Sequence, residues 1–326
     1  MNRHHVLALA VSAALILAAS LSSYGSGAFP GGKVPNKACE TTPSCGKCHR
    51  PFAGGAGIKV SLKASALILS KGQKISVTSS ATGGANHPQK WGGFASKNTA
   101  GKFTAGSTSQ ADASGQHVTH RLAFQTNGRK WVYGYTAPGK AGLVRLFTVV
   151  NTVNGNGRAD GSDFWAFPGA FDSNTRSTPV WLYVLADKVK MLGAGCPGSH
   201  GNQPVLGSKV TPKVGASNFS LEVHGAAASA PFATFLGANA KWTPLDLSAI
   251  GVTGCKLLVD SLITLTGRTG GGTTMYGDGS ASVSIPIPNN PSMRGATLQA
   301  QSAIIDTGNG RQTPITMTNG LSFTIQ

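Results

Sequence analysis

The chain has 326 residues, 12% of them charged and 40% apolar, with 44 glycines, 17 prolines and a formal net charge of +17. That apolar content excludes a disordered chain. Sparse charge with so much glycine and proline suits β-structure with many tight turns better than helices.

Residues 1–28 read as a secretory signal peptide. Arg3, His4 and His5 precede an apolar run from Val6 to Leu21, and Ser26 and Ala28 are spaced for cleavage before Phe29. The run falls short of the ~20 residues that span a bilayer. The mature chain is therefore expected outside the cytoplasm: periplasmic, cell-surface or secreted.

Next comes "SCGKCHR", residues 44–50. Covalent haem attachment needs two thiols three residues apart and a histidine directly after the second. Cys45, Cys48 and His49 meet that order and spacing, so one haem c is expected there. The rivals are a Cys45–Cys48 disulfide, a redox CxxC and half of a zinc site. Zinc would need a second ligand pair, and the chain has no other CxxC and no HxxxH.

From Ile58 onward the pattern has period two. "IKVSLKA", "GQKISVTSS", "HVTHRLAFQ" and "KWVYGYTAP" alternate apolar with polar residues, while "GLVRLFTVVN" and "PVWLYVLAD" are nearly continuous apolar runs. Such strands, separated by Gly, Pro and Asn turns, predict an antiparallel β-sandwich over residues 29–190. No methionine occurs between residues 29 and 190, so the second iron ligand is expected to be histidine. Strand parity puts His120 on the side of Val118, Leu122 and Phe124, and His117 on the other side. His120 is the expected ligand, with a carbonyl-bonded core histidine as the alternative. Asn151, Asn154, Asn156, Asp160 and Asp163 form an oxygen-rich loop, but their spacing is not that of an EF-hand and Asn-Gly pairs are turn chemistry. Calcium is a weaker expectation than a plain loop.

Residues 191–204, rich in Gly and Pro, are expected to be a linker. Strand patterns resume over 205–326 with "NFSLEVHG", "PFATFLG", "CKLLVDSLITLTG", "SASVSIPIPN", "ATLQAQSAIID" and "LSFTIQ", predicting a second β-sandwich. Cys196 and Cys255 are expected to pair as a disulfide, which export permits. Cys39 is then left over.

"SCGKCH", "HVTH" and "KWVYGYTAPGKAGLVRLFTVVNTVNGNGRADGSDFW" together resemble the bacterial Reeler-like family called choice-of-anchor V, over about residues 29–187. The family histidine before the Trp strand matches His120. Tyr135 stands where the family often has Trp, and Ser162-Asp163 replaces Gly-Asp. The resemblance implies export and a sandwich fold more than an activity. "WTPLDLSAIGVTGCKLLVD" and the strands after it are similar to a C-terminal β-domain of bacterial secreted proteins.

Charge is unevenly spread. Residues 29–190 hold 20 Lys/Arg against 6 Asp/Glu, and residues 196–326 hold 7 against 5. No GxSxG, HExxH or paired carboxylates appear, so no enzyme is expected. Two functions follow from these residues. The first is a monohaem c-type cytochrome-like protein for electron transfer or haem-based sensing, with an unknown redox partner. The alternative is a non-enzymatic surface or matrix binding protein whose basic first half grips anionic material. No signature for specific nucleic-acid recognition is present, and no membrane span follows the leader.

Overall fold

The structure, a computed structural model, describes residues 57–85, 91–121, 128–155, 163–169, 178–238, 241–271 and 277–326. The leader, Cys39, Cys45, Cys48, His49 and His87 lie outside these residues. The described chain is all-β, and its helices are single 3-10 turns. None is long and apolar enough to cross a membrane.

Eleven strands build the first unit: β1 (Lys59–Ala64), β2 (Ile68–Leu69), β3 (Lys74–Thr82), β4 (Gly92–Asn98), β5 (Lys102–Thr104), β6 (Ser109–Ala111), β7 (His117–His120), β8 (Lys130–Thr136), β9 (Gly142–Thr152), β10 (Phe164–Ala166) and β11 (Val180–Val184). One sheet runs β1-β3-β8-β5, and the other β2-β11-β9-β4-β7-β6, with β10 on β9. Period-two alternation decides which side faces inward. Val60, Leu62, Ile75, Val77, Trp131, Tyr133 and Tyr135 turn in and meet Phe94, Val144, Leu146 and Leu182 from the facing sheet. Four hydroxyls tie the sheets together within this core. Ser79 and Tyr133 from one sheet bond Ser96 and Thr148 from the other at 2.8–3.2 Å.

The second unit contains β12 (Val189–Gly193), β13 (Val205–Gly207), β14 (Ser220–Ala226), β15 (Pro231–Gly237), β16 (Leu245–Asp246), β17 (Lys256–Leu257), β18 (Ile263–Arg268), β19 (Gly279–Ser284), β20 (Thr297–Ile305), β21 (Ile315–Met317) and β22 (Gly320–Thr324). They form a sheet β12-β22-β20-β15-β18 with β21 on β20, a sheet β13-β14-β19, and a β16-β17 hairpin. Residues 191–204 are not a bare tether. Met191 to Gly193 belong to β12, which pairs with β22. Cys196 is buried and disulfide-bonded to Cys255, with a Cα–Cα distance of 5.2 Å. Gly198 and Asn202 then close a turn onto which Asp306 folds.

Strand β11 belongs to both cores. Leu182 and Val184 face the first, while Trp181 and Tyr183 face the second. Burial on both faces accounts for the unbroken apolar run read in the sequence.

Candidate functional site: a lysine-bearing sheet face

Alternation that buries one side of the β1-β3-β8-β5 sheet exposes the other. The outward positions are Lys59, Ser61 and Lys63 on β1, and Lys74, Ser76, Thr78, Ser80 and Thr82 on β3. Val132, Gly134 and Thr136 follow Lys130 on β8, and Lys102 and Thr104 stand on β5. Five lysines therefore share one face, interleaved with hydroxyl side chains and with no Asp or Glu among them. All five are exposed. Register sets their arrangement. Lys63 lies beside Thr78, which lies beside Val132; Lys130 lies beside Ser80, which lies beside Ser61; Lys74 and Lys102 flank Thr136. With about 4.8 Å between strands and about 3.3 Å per residue along them, the lysines cover a patch roughly 15 by 26 Å.

None of the five has an ion-pair partner among the described residues. Lys71, just outside the patch, is instead paired with Asp187 at 2.8 Å. Arg129 is structural too. It is buried, and its guanidinium donates to the carbonyls of Trp91, Gly83 and Ala85. An excess of basic residues was legible in the sequence. Which of them stand together was not, because the lysines come from four strands whose order only the sheet decides.

A cleft of about 380 Å³ adjoins the β1 edge of this sheet, with Leu62, Lys63, Thr178, Pro179, Trp181 and Asn202 in its wall. It lies at the seam between the units.

The two histidines of β7 point to opposite sides, as parity requires. His117 pairs with Asp112, Nδ1 to Oδ2 at 2.9 Å. Burial pushes the Asp112 carboxyl up, but bonds from His117 and Ser114 outweigh it and hold the carboxyl below its usual range. His120 sits at the strand end, half-buried, whereas Val118 on the same side is fully buried. Its Nδ1 accepts the Phe94 amide at 3.1 Å. The ring occupies the space that a side chain at Gly93 would fill. Accepting at Nδ1 places the ring proton on Nε2. An iron ligand at Nε2 would need that proton moved to Nδ1, where the nearest acceptors are Phe94 O at 3.3 Å and Thr119 Oγ1 at 3.4 Å. Cys45, Cys48 and His49 lie outside the described residues. Among the described residues no group of three or more His, Cys, Asp or Glu could hold a metal ion. In the oxygen-rich loop, buried Asp163 accepts the Asn154 amide at 3.0 Å; Asn156 and Asp160 are outside the described residues.

No family profile matches the chain, and no curated protein matches it. Among solved structures, the Reelin-N domain of F-spondin is 16% identical, covering 40% of this chain and 86% of that one, with a TM-score of 0.27. The human F-spondin reeler domain is 17% identical over 39% of this chain and 88% of that one, with a TM-score of 0.28. The Yersinia pseudotuberculosis adhesin InvE is 13% identical over 82% of this chain and 61% of that one, with a TM-score of 0.24. At these scores the likenesses carry no conclusion about this chain.

Proposed function

We propose that this is an exported, non-enzymatic binding protein whose first unit holds an anionic extracellular polymer against the outer face of the β1-β3-β8-β5 sheet. The observation that carries this is the set of five exposed lysines, Lys59, Lys63, Lys74, Lys102 and Lys130, on one acid-free face. Unneutralised charges on a flat surface attract a polyanion and release its counterions. The interleaved Ser and Thr hydroxyls add hydrogen bonds suited to sulfate, carboxylate or sugar hydroxyls. The Cys196–Cys255 disulfide supports an oxidising compartment. The test compares two variants of the mature chain that lose equal charge. Replacing Lys59, Lys63, Lys102 and Lys130 by Gln should weaken binding to a sulfated polysaccharide roughly tenfold or more, at a few tenths of a kcal/mol per exposed contact. Replacing Lys140, Lys188, Lys190 and Lys213, also exposed, should change it little. Equal losses would show that only net charge matters.

A second reading keeps covalent haem c at Cys45, Cys48 and His49, with His120 as the other axial ligand. It rests on the CxxCH spacing and on the Phe94 carbonyl 3.3 Å from His120 Nδ1, which would accept the ring proton in the iron-binding tautomer. Bound haem would supply one-electron transfer. Production in a host with haem-attachment machinery should then give a coloured protein whose Soret absorbance survives acid–acetone extraction. A colourless product from that host removes the reading.

A further inference from the structure

We infer that the cleft at the β1 edge binds one acidic sugar unit, whose oxygens are taken by Thr178, Trp181, Asn202 and Lys63. The inference rests on the reading of the lysine face for its class of ligand, and adds the site that selects within that class.

At about 380 Å³ the cleft falls at the small end of the range in which proteins hold small ligands. Both units build it. Val60, Leu62 and Thr178 come from the first, and Asn202 from the turn before β13; Trp181 on β11 stands between them. The wall is fixed on each side. Thr178 N donates to Pro168 O at 2.8 Å, Asn202 N donates to Ser199 O at 3.1 Å, and Asn202 O accepts Gly198 N at 2.6 Å. The Trp181 ring is held as well, with His224 stacked on it at 6.0 Å and the Arg145 guanidinium over it at 5.9 Å.

Three side chains of this wall carry a buried polar atom with no hydrogen-bond partner among the described residues: Thr178 Oγ1, Trp181 Nε1 and Asn202 Nδ2. Thr178 and Trp181 are each only 7% exposed. Buried polar groups are ordinarily bonded, and one left unbonded costs stability. Natural proteins break that rule mainly at functional sites, where a ligand supplies the missing bond.

These groups select the ligand. The indole and amide nitrogens only donate, and the hydroxyl is able to. Lys63, exposed and in the same wall, adds a charged donor. No Asp or Glu stands among the described wall residues. The ligand is therefore rich in acceptors and negative. Val60, Leu62 and Pro179 give the cleft an apolar side that suits the C–H face of a ring. A sugar ring carrying a carboxylate or a sulfate meets all three demands. Lys63 also belongs to the lysine face, so a polymer on that face runs past the cleft and places one unit in it. On binding, rotation about Thr178 χ1 and Asn202 χ2 turns the hydroxyl and the amide onto the sugar oxygens, while the Trp181 ring stays where His224 and Arg145 hold it.

Calorimetric titration of the mature chain with glucuronate, glucose 6-sulfate and glucose tests this. At least one of the two acids should bind saturably, with glucose roughly tenfold weaker or not bound; the tighter acid names the charged group. Thr178→Val keeps the shape and removes the hydroxyl. It should weaken binding of that acid about tenfold, the loss of one good bond. The thermal midpoint of the free protein should stay level or rise, because the hydroxyl has no bond there to lose. Asn202→Ala should weaken binding likewise. Replacing Lys59, Lys102 and Lys130 by Gln should lower binding of the sulfated polysaccharide and leave the affinity for the acidic sugar unchanged, which separates the cleft from the lysine face. No saturable binding of either acid would overturn the inference, and polysaccharide binding retained in that case would leave the lysine face standing. Affinities unchanged in Thr178→Val and Asn202→Ala, or a midpoint lowered by Thr178→Val, would overturn it too.

Discussion

Tyr183 on β11 donates a 2.7 Å hydrogen bond to Oε2 of Glu222 on β14, a part-buried link between the two units. Lys209 reaches the other carboxylate oxygen at 2.6 Å, and His224 Nε2 stands 3.6 Å from Oε2. His224 also stacks over Trp181 and Tyr183. His224, then Lys209 and Tyr183, hold the Glu222 carboxyl down to about 2 against the opposing effect of burial. Burial, with Glu222 beside it, pushes the Tyr183 hydroxyl up.

Tyr183→Phe should lower stability by about 1.5–3 kcal/mol in urea unfolding, the usual worth of a bond to a charged group. The carboxyl titrates near 4.5 when unfolded and near 2 when folded. Its stabilisation is complete above pH 4.5 and is lost as pH falls toward 2. Glu222→Gln should flatten the stability profile across that window and nowhere above it.

Gly207 should tolerate no side chain. A Cβ there would stand 2.1 Å from Cδ1 of Tyr183, a ring that is fully buried and held by Glu222. Gly207→Ala should cost roughly 1–3 kcal/mol by overpacking. The same change at Gly139, where nothing lies within 4 Å, should be nearly neutral. Thermal unfolding of the pair checks the contrast.

Tyr133 should resist ionisation until the protein unfolds. Burial among the core hydroxyls pushes it up to about 12. Its contribution is therefore complete below pH 10 and lost as pH rises through 12. Tyr133→Phe should weaken the fall in stability over pH 10–12 while costing about 1 kcal/mol at pH 7, because Ser79, Ser96 and Thr148 still bond one another. Tyrosinate absorbance followed alongside circular dichroism separates the two events.

Replacing both Cys196 and Cys255 by Ala should cost about 4 kcal/mol, the chain-entropy value for closing a loop of this length. Val252 and Met317 pack against the bridge, so the loss should appear as an unfolding transition shifted to lower urea. Equal midpoints for variant and parent would contradict it.

Strand identity was written in local pattern. The alternation in "KWVYGYT" placed Trp131, Tyr133 and Tyr135 on one side, and all three are buried. "PFATFLG" is β15 from end to end. Period-two patterning reports burial on one face, and that is decided residue by residue along a strand. β4, "GGFASKN", escaped such a reading. It lies between β9 and β7, and its residues are nearly all buried. A central strand covered on both faces, with Ser96 bonded to the core hydroxyls and the Asn98 side-chain amide donating to Gly115 O, has no polar side to alternate with. The five-lysine face and the sharing of β11 by two cores were likewise beyond the sequence. Each depends on which strands become neighbours, and pairing between residues far apart along the chain leaves no trace in the spacing of either partner.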